Sequence, residues 1–428
     1  MTEALIILGM FLLIAIGMPI AVSILGAALV GLYINNGHLG FLNAALSIYD
    51  GATSFPLIAI PLFILAGALM NTGGISTRLI AFVSALIGFV RGGLAMVNVG
   101  VSMFFAEISG SAVADVAATG SVLIPAMKKK GYSPRFAAAI TSSSASLAII
   151  IPPSIPMILY GALSDTSIVK LFVAGIVPGV LGGFLLMALC YFFAVRYDLP
   201  REERFDLCNL WRTAKEAAWA LVLPVIILGG IFGGIVTATE GAGLAVLAAL
   251  VIGLFIYREL DIRRLYFALV DGVLQTATVM LLVASSAVLG LYLTETEVPQ
   301  RLAQGITAIT TDKLAVLMLI NVFLLFVGMV LHGAAAIILT VPIFMPLVHQ
   351  LGIDPVQFGI LLTLNIALGQ QTPPVASVLV TACSIAKTDV WKTTRTNLPF
   401  IAVLVAVLLL VTYVPAVPLT LVEVFYGP

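Results

Sequence analysis

Two short stretches hold the residues able to do chemistry. Residues 141–154 read TSSSASLAIIIPPS and residues 365–375 read NIALGQQTPPV. Each sets small polar side chains beside a Pro-Pro pair inside an apolar run. A proline within a helix removes a backbone hydrogen bond and clashes with the preceding turn, at a cost of roughly 3 kcal/mol. Hydrocarbon supplies no water for the freed carbonyls, so a break there needs protein or a water-lined cavity around it. Its use is electrostatic. A half-helix N-terminus offers unpaired N–H groups and partial positive charge to a carboxylate, while a half-helix C-terminus and unwound carbonyls offer oxygen to Na⁺. Ser142, Ser143 and Ser154 around Pro152 and Pro153, with Gln370 and Gln371 before Pro373 and Pro374, are the expected substrate contacts. Ser144 and Asn365 are expected to orient the two loops or lend side-chain oxygens. A lone serine in a membrane helix usually bonds back to its own turn; clustering beside a double proline is what marks a site.

The elements that carry these breaks follow from composition. Of the 428 residues, 61% are hydrophobic and only 9% charged, far below the roughly 25% charged of a soluble domain. Long apolar runs separated by short basic junctions make an all-α polytopic membrane protein. The formal net charge is zero, which points away from nucleic acid. Three scattered cysteines (Cys190, Cys208 and Cys383) suit neither a disulfide framework nor a zinc site. The first run, 4–33, is too long for a signal-peptide core and is expected to be a helix bent near Gly17 and Pro19.

Punctuation repeats. Pro373 lies 221 positions after Pro152, and the same offset carries Pro125, Pro134, Pro153 and Pro178 onto Pro346, Pro355, Pro374 and Pro399, and Gly131 onto Gly352. Generic membrane composition would match leucines, not five prolines, so the chain is an internal duplication. Lys128, Lys129, Lys130 and Arg135 cluster at the first junction, whereas the matching stretch 348–356 has no Lys or Arg. Cytoplasmic loops collect these residues, so the copies face opposite ways as inverted-topology repeats. The later clusters at 196–215, 258–264 and 387–395 fall on the inner side in the same scheme.

Ahead of each broken span lies a stretch too polar or glycine-rich to cross easily, 107–131 and 328–352, read as re-entrant hairpins, the first inward and the second outward. Asp115 in the first is an intramembrane carboxylate and thus a functional candidate, with a hairpin cap as the plain alternative. Glu107 is expected at the cytoplasmic mouth and His332 in an interfacial position at the start of the second hairpin. Glu240, after TAT, reads as helix N-terminus chemistry, and the amphipathic stretch 201–219 as an interfacial bracing arm. No P-loop, HExxH or Gly-x-Ser-x-Gly occurs, so no enzyme is expected.

The two stretches SGSAVADVAATGSVLIPAMKKKGYSPRFAAAITSSSASLAIIIPPSIPMILYGA and GIDPVQFGILLTLNIALGQQTPPVAS resemble the large membrane subunit of tripartite ATP-independent periplasmic (TRAP) transporters, along essentially the whole chain. That resemblance implies a Na⁺-coupled importer of organic anions (dicarboxylates, sugar acids or sialic acid) in the bacterial inner membrane, with no organic cofactor. It implies an elevator mechanism, a separate small membrane subunit of four helices and a periplasmic substrate-binding protein. It places Na⁺ near Ser109, Gly110 and Ser111 with Ser144 and Pro152, and near Thr340 and Pro342 with Gly369, Thr372 and Pro373; Pro153 and Pro374 complete the breaks. The expected division is scaffold over 1–106, inward hairpin and broken helix over 107–165, scaffold and arm over 166–330, outward hairpin and broken helix over 331–388, and a scaffold helix over 389–428. A stand-alone Na⁺- or H⁺-coupled anion transporter of related fold is the alternative; an intramembrane protease would want paired aspartates or a Ser/His pair at membrane depth, and none is apparent.

Overall fold

The structure, a computed structural model, describes residues 2–109, 111–199 and 205–427. Among these, helices account for every regular element, and eight are long and apolar enough to cross a membrane. Starts repeat with the sequence. Ser133 caps Pro134–Ala145 by accepting from the Phe136 N–H at 3.2 Å. Asp354, at the same offset, caps Pro355–Gly369 by accepting from Val356 and Gln357 at 2.7 and 3.0 Å. In both, a proline follows the cap, where its missing N–H costs nothing. Glu240 completes a capping box with Thr237 at the start of Ala238–Val251, as its position after TAT predicts.

Two hydrogen bonds establish the inversion. Lys128, at the end of the first hairpin, donates to the carbonyl of Ala386 at 3.0 Å, where the second broken span ends. Tyr160, in the outer half of the first broken span, donates to the carbonyl of Pro355 at 2.6 Å, where the second begins. Each repeat therefore starts beside the other's finish.

Both hairpins begin earlier than the polar stretches suggested. The first pairs Gly93–Ser109 with a return arm from Ala112 to Lys129, and Asn98 reaches the Met127 sulfur at 3.8 Å across it. The second pairs Lys313–Val330 with Gly333–Gln350, and Lys313 Nζ donates to the Gly352 carbonyl at 2.9 Å, closing its mouth. Hydropathy cannot tell an 18-residue arm from an 18-residue span; only the contact between the two ends does. Glu107 consequently belongs to the last turn before the first tip, not the mouth, and His332 sits at the second tip rather than at the membrane interface.

Elsewhere the expected bend at Gly17 and Pro19 is a full break, giving Thr2–Ala15 and Ile20–Asn36. The bracing arm, described from 205 onward, is no separate helix: Leu207–Phe232 runs unbroken for 26 residues, about 39 Å against a hydrocarbon core of about 30 Å. Its first turns, with Trp211 65% exposed, project beyond the span. Arg78 ties this side together, pairing with Glu259 at 2.7 Å and stacking 3.8 Å over the Tyr257 ring.

Candidate functional site

The first broken span runs as Pro134–Ala145, loosens into a 3₁₀ turn over Ser146–Ile149, and restarts as Ile155–Ser164. The second stops at Gly369 and restarts as Ser377–Ala386. Both Pro-Pro bonds, Pro152–Pro153 and Pro373–Pro374, are cis. Ser142, Ser143, Ser144, Ser146 and Ser154 are all fully buried, so each must find its partners inside the protein.

The two breaks interlock. Gln371 of the second span donates from Nε2 to the Ser146 hydroxyl at 2.6 Å, and its Oε1 accepts from Ser143 at 2.6 Å and from Asn397 Nδ2 at 3.3 Å. Ser143 Oγ also lies 2.8 Å from Asn397 Oδ1, and Ser146 lies 3.3 Å from the carbonyl of Ala367, its own partner under the repeat offset. Each span is then tied to the first arm of its own hairpin through an asparagine. Asn98 donates to Thr141 at 2.6 Å and accepts from Ser144 at 3.0 Å. Asn321 accepts from Asn365 Nδ2 at 2.7 Å and donates to Thr412 at 2.9 Å. Asn98, Asn321 and Asn397 escaped the sequence reading. For Asn98 and Asn321 the available signal was a lone amide in the apolar first arm of each hairpin.

The backbones also meet. A Cβ on Gly369 would lie 2.4 Å from the Gly328 carbonyl carbon, backbone against backbone, with no flexible side chain to give way. Gly369→Ala is expected to lower stability by about 1–3 kcal/mol, read as a fall in melting temperature of the purified protein. An unchanged melting point would mean that the tip does not seat there.

Beside this core lies a cavity of about 400 Å³. Both hairpin tips, the start of Ile155–Ser164 and the long helix Ile262–Glu295 enclose it, and its polar lining is Ser111, Gln275, Thr278, His332 and Gln370. A larger hollow of about 600 Å³ beside Phe89, Phe205 and Arg212 contains none of the break or hairpin-tip residues.

The expected substrate contacts therefore divide. Gln370 lines the cavity. Ser143 and Gln371 are spent on the interlock, Ser154 donates to the Ile149 carbonyl at 2.6 Å, and Ser142 is buried with no partner for its hydroxyl among the described residues. Of the expected Na⁺ residues, Ser111 lines the cavity and Ser144 bonds Asn98. Pro152 and Pro153 are buried, Pro373 is half-buried and Pro374 exposed. Thr372 donates to the Leu368 carbonyl at 2.9 Å. Thr340 donates to its own helix at Ala336, 2.6 Å away, and Pro342 lies within that same arm. The residues that approach the second break are instead those of the tip: Val375 N–H donates to the Met329 carbonyl at 3.2 Å. The repeat offset applied to 109–111 lands on 330–332, where the chain turns. The Ser109 side chain and Gly110 lie outside the described residues.

Among the described residues, both carboxyl oxygens of Asp115, Ser142 Oγ and Asn365 Oδ1 are buried without a geometric hydrogen-bond partner. Asp115 is fully buried with the Ser102 and Thr119 hydroxyls facing its carboxyl, and the Thr119 hydroxyl donates to its backbone carbonyl at 2.8 Å. An ionised carboxylate so placed requires a cation or a proton. No cluster of three His, Cys, Asp or Glu side chains occurs among the described residues; oxygen donors as a class suit hard cations.

Residues 7–417 match the family model described as Tripartite ATP-independent periplasmic transporter, DctM component. The isethionate TRAP transporter permease protein DctMQ of Oleidesulfovibrio alaskensis is 42% identical over 95% of the chain, which spans 64% of that relative's length. The C4-dicarboxylate TRAP transporter large permease protein DctM of Pseudomonas aeruginosa is 39% identical over 88% of each sequence. The 2,3-diketo-L-gulonate TRAP transporter large permease protein YiaN of Escherichia coli is 38% identical over 94% of each. Among solved structures, the Alcanivorax borkumensis YdaH transporter superposes with a TM-score of 0.63 over 92% of this chain and 90% of its own, at 14% identity, a likeness of fold alone.

Proposed function

The chain belongs to the DctM family, the large membrane subunit of TRAP transporters, and from that premise we propose that it is a Na⁺-coupled importer of small organic anions working by an elevator motion. We propose that a small membrane subunit and a periplasmic binding protein complete it; the DctMQ relative extends beyond the length this chain matches. The observation that carries Na⁺ coupling is the set of orphaned oxygens beside the breaks, above all the Asp115 carboxylate. One ion per repeat would satisfy Asp115 and Ser142 in the first and Asn365 in the second. Proteoliposome uptake with candidate binding proteins, with and without a Na⁺ gradient, tests the reading. In that assay Asp115→Asn is expected to raise the Na⁺ concentration for half-maximal uptake about 10- to 100-fold, the loss of one charge-assisted contact. An unchanged Na⁺ curve would remove Asp115 from the coupling site.

Hydrogen bonding supports a moving unit larger than the hairpins and broken spans. Asn397 and Thr412 on Val390–Tyr413 bond into both repeats, and Gln357 Nε2 donates to the Val411 carbonyl at 2.9 Å. We therefore assign 93–196 and 313–426 to the unit that moves and 2–87 with 207–309 to the scaffold. This redraws the division expected from sequence, which left 93–106, 166–196, 313–330 and 389–428 outside the transport part. Among hydrogen bonds between described residues, one crosses the new boundary, from Tyr426 to the Phe232 carbonyl at 3.2 Å. An interface held by apolar packing is one that can slide.

A further inference from the structure

We propose that a groove on the cytoplasmic side binds an anionic phospholipid of the inner leaflet through Arg135, Lys392 and Arg395. The three cations come from separate parts of the chain. Arg135 opens the first broken span beside its Ser133 cap, and Lys392 and Arg395 lie on the first turns of Val390–Tyr413. They line one cavity of about 650 Å³, and the rest of its lining, chiefly Phe136, Phe193, Tyr197 and Pro399, holds no Asp or Glu. All three cations are exposed, and none forms an ion pair with a described residue. The carboxylates closest to them in the chain are engaged elsewhere. Asp389 accepts from the Lys392 backbone N–H at 2.8 Å as the cap of its helix, and Asp198, after Tyr197, pairs with Arg91 at 3.5 Å. Three like charges around one hollow repel one another, and an anion between them turns that repulsion into charge-assisted bonds.

The other half of the groove is apolar and fixed in place. Phe193, near the end of Ile168–Arg196, has the rings of Phe136, Phe400 and Tyr197 at 6.1, 5.7 and 5.7 Å between centroids. One turn deeper in the membrane, helical spacing sets Leu189 behind Phe193 and Val403 behind Pro399, both half-buried, with Leu398 56% exposed alongside. Cations at the junction above a hydrocarbon-facing track match a glycerophospholipid: its phosphate meets the charges and its acyl chains follow the two helices. A free phosphate would use the upper half alone. The duplication supplies a comparison within the chain. The offset of 221 sets Arg135, Lys392 and Arg395 against Val356, Leu171 and Ala174, and Phe136 and Phe193 against Gln357 and Val414. The equivalent outer place keeps the helices but has neither these cations nor these rings, so the fold does not demand them. A general excess of cytoplasmic charge would account for the cations and not for the rings beneath them. The broken span and both helices that build the groove belong to the unit assigned above to movement, yet binding itself does not depend on that assignment.

The test is thermal unfolding of the full-length chain in its membrane complex, held in detergent micelles doped with phosphatidylglycerol or phosphatidylcholine. Inorganic phosphate serves as the soluble arm. Phosphatidylglycerol is expected to stabilise the wild type at a mole fraction at least about tenfold below phosphatidylcholine. Lys392→Gln/Arg395→Gln should raise the mole fraction required about 10- to 100-fold, the effect of two juxtamembrane charges. Arg135→Gln alone should raise it by less, and it carries the test if the double variant cannot be purified. Lys129→Gln/Arg263→Gln, which removes two exposed cytoplasmic charges outside the groove, should respond as the wild type does. Equal stabilisation by the two lipids, an unaltered response of the groove variants, or an equal loss in the control pair overturns the proposal. Stabilisation by inorganic phosphate as effective as that by phosphatidylglycerol overturns the lipid assignment. Failure of Na⁺-driven uptake would overturn the transporter reading and leave this binding standing.

Discussion

Oxidising a Val83→Cys/Gly100→Cys pair is expected to abolish uptake, and reduction to restore it. Val83 lies on the scaffold helix Ile75–Ile87 and Gly100 on the first arm of the inward hairpin. A Cβ on Gly100 would sit 3.0 Å from Val83 Cγ1, so cysteines at both positions bring their Cβ atoms within the roughly 3.5–4.5 Å that a disulfide spans. Replacing the valine also removes the methyl that a larger residue at 100 would crowd. Any sliding of the assigned moving unit must separate these positions, and a covalent bond forbids that. Exposed Cys208 is first replaced by serine; Cys190 and Cys383 are buried. The measurement is proteoliposome uptake before and after reductant, with cross-linking scored by mass spectrometry. Full uptake by the cross-linked protein would show that the boundary does not run between these helices.

The second large effect is expected at Gln371. Leucine there keeps much of the volume but strips partners from Ser143, Ser146 and Asn397, all fully buried. Each buried group left unpaired costs about 1–3 kcal/mol. Ser146 and Ser143 retain alternatives at Ala367 and Asn397, so the total expected is roughly 2–4 kcal/mol. Because those bonds join the two repeats, uptake should fall further than the melting temperature alone explains. A double-mutant cycle of Gln371→Leu with Ser146→Ala should return a coupling of about 1–2 kcal/mol; additivity within about 0.5 kcal/mol would mean that the two spans are held together elsewhere.

Gln371 also marks where reading residues in order stops. Its position before a Pro-Pro pair announces a site, and in the structure Gln371 sits where the two breaks interlock, but a glutamine that binds substrate and one that ties two spans together look alike in sequence. The same holds for Ser143 and Ser144, whose hydroxyls turn inward to Gln371, Asn397 and Asn98. Thr340 was misplaced for a different reason. It is named by the family resemblance alone, whereas the chain turns at Leu331 and His332, and Thr340 spends its hydroxyl on its own helix.

From sequence alone came the membrane class, the duplication, the two interrupted spans and their capped starts. Those depend on composition and on prolines, which act through local backbone chemistry wherever they occur. The inversion itself was legible in the lysines of one junction and their lack in the other. Tertiary structure alone decided which apolar runs fold back as hairpin arms, which polar groups pair across the repeats, and that His332, Gln275 and Thr278 line one cavity with Gln370. These are contacts between residues far apart in the chain, and neither hydropathy nor spacing records which face of one helix meets which face of another.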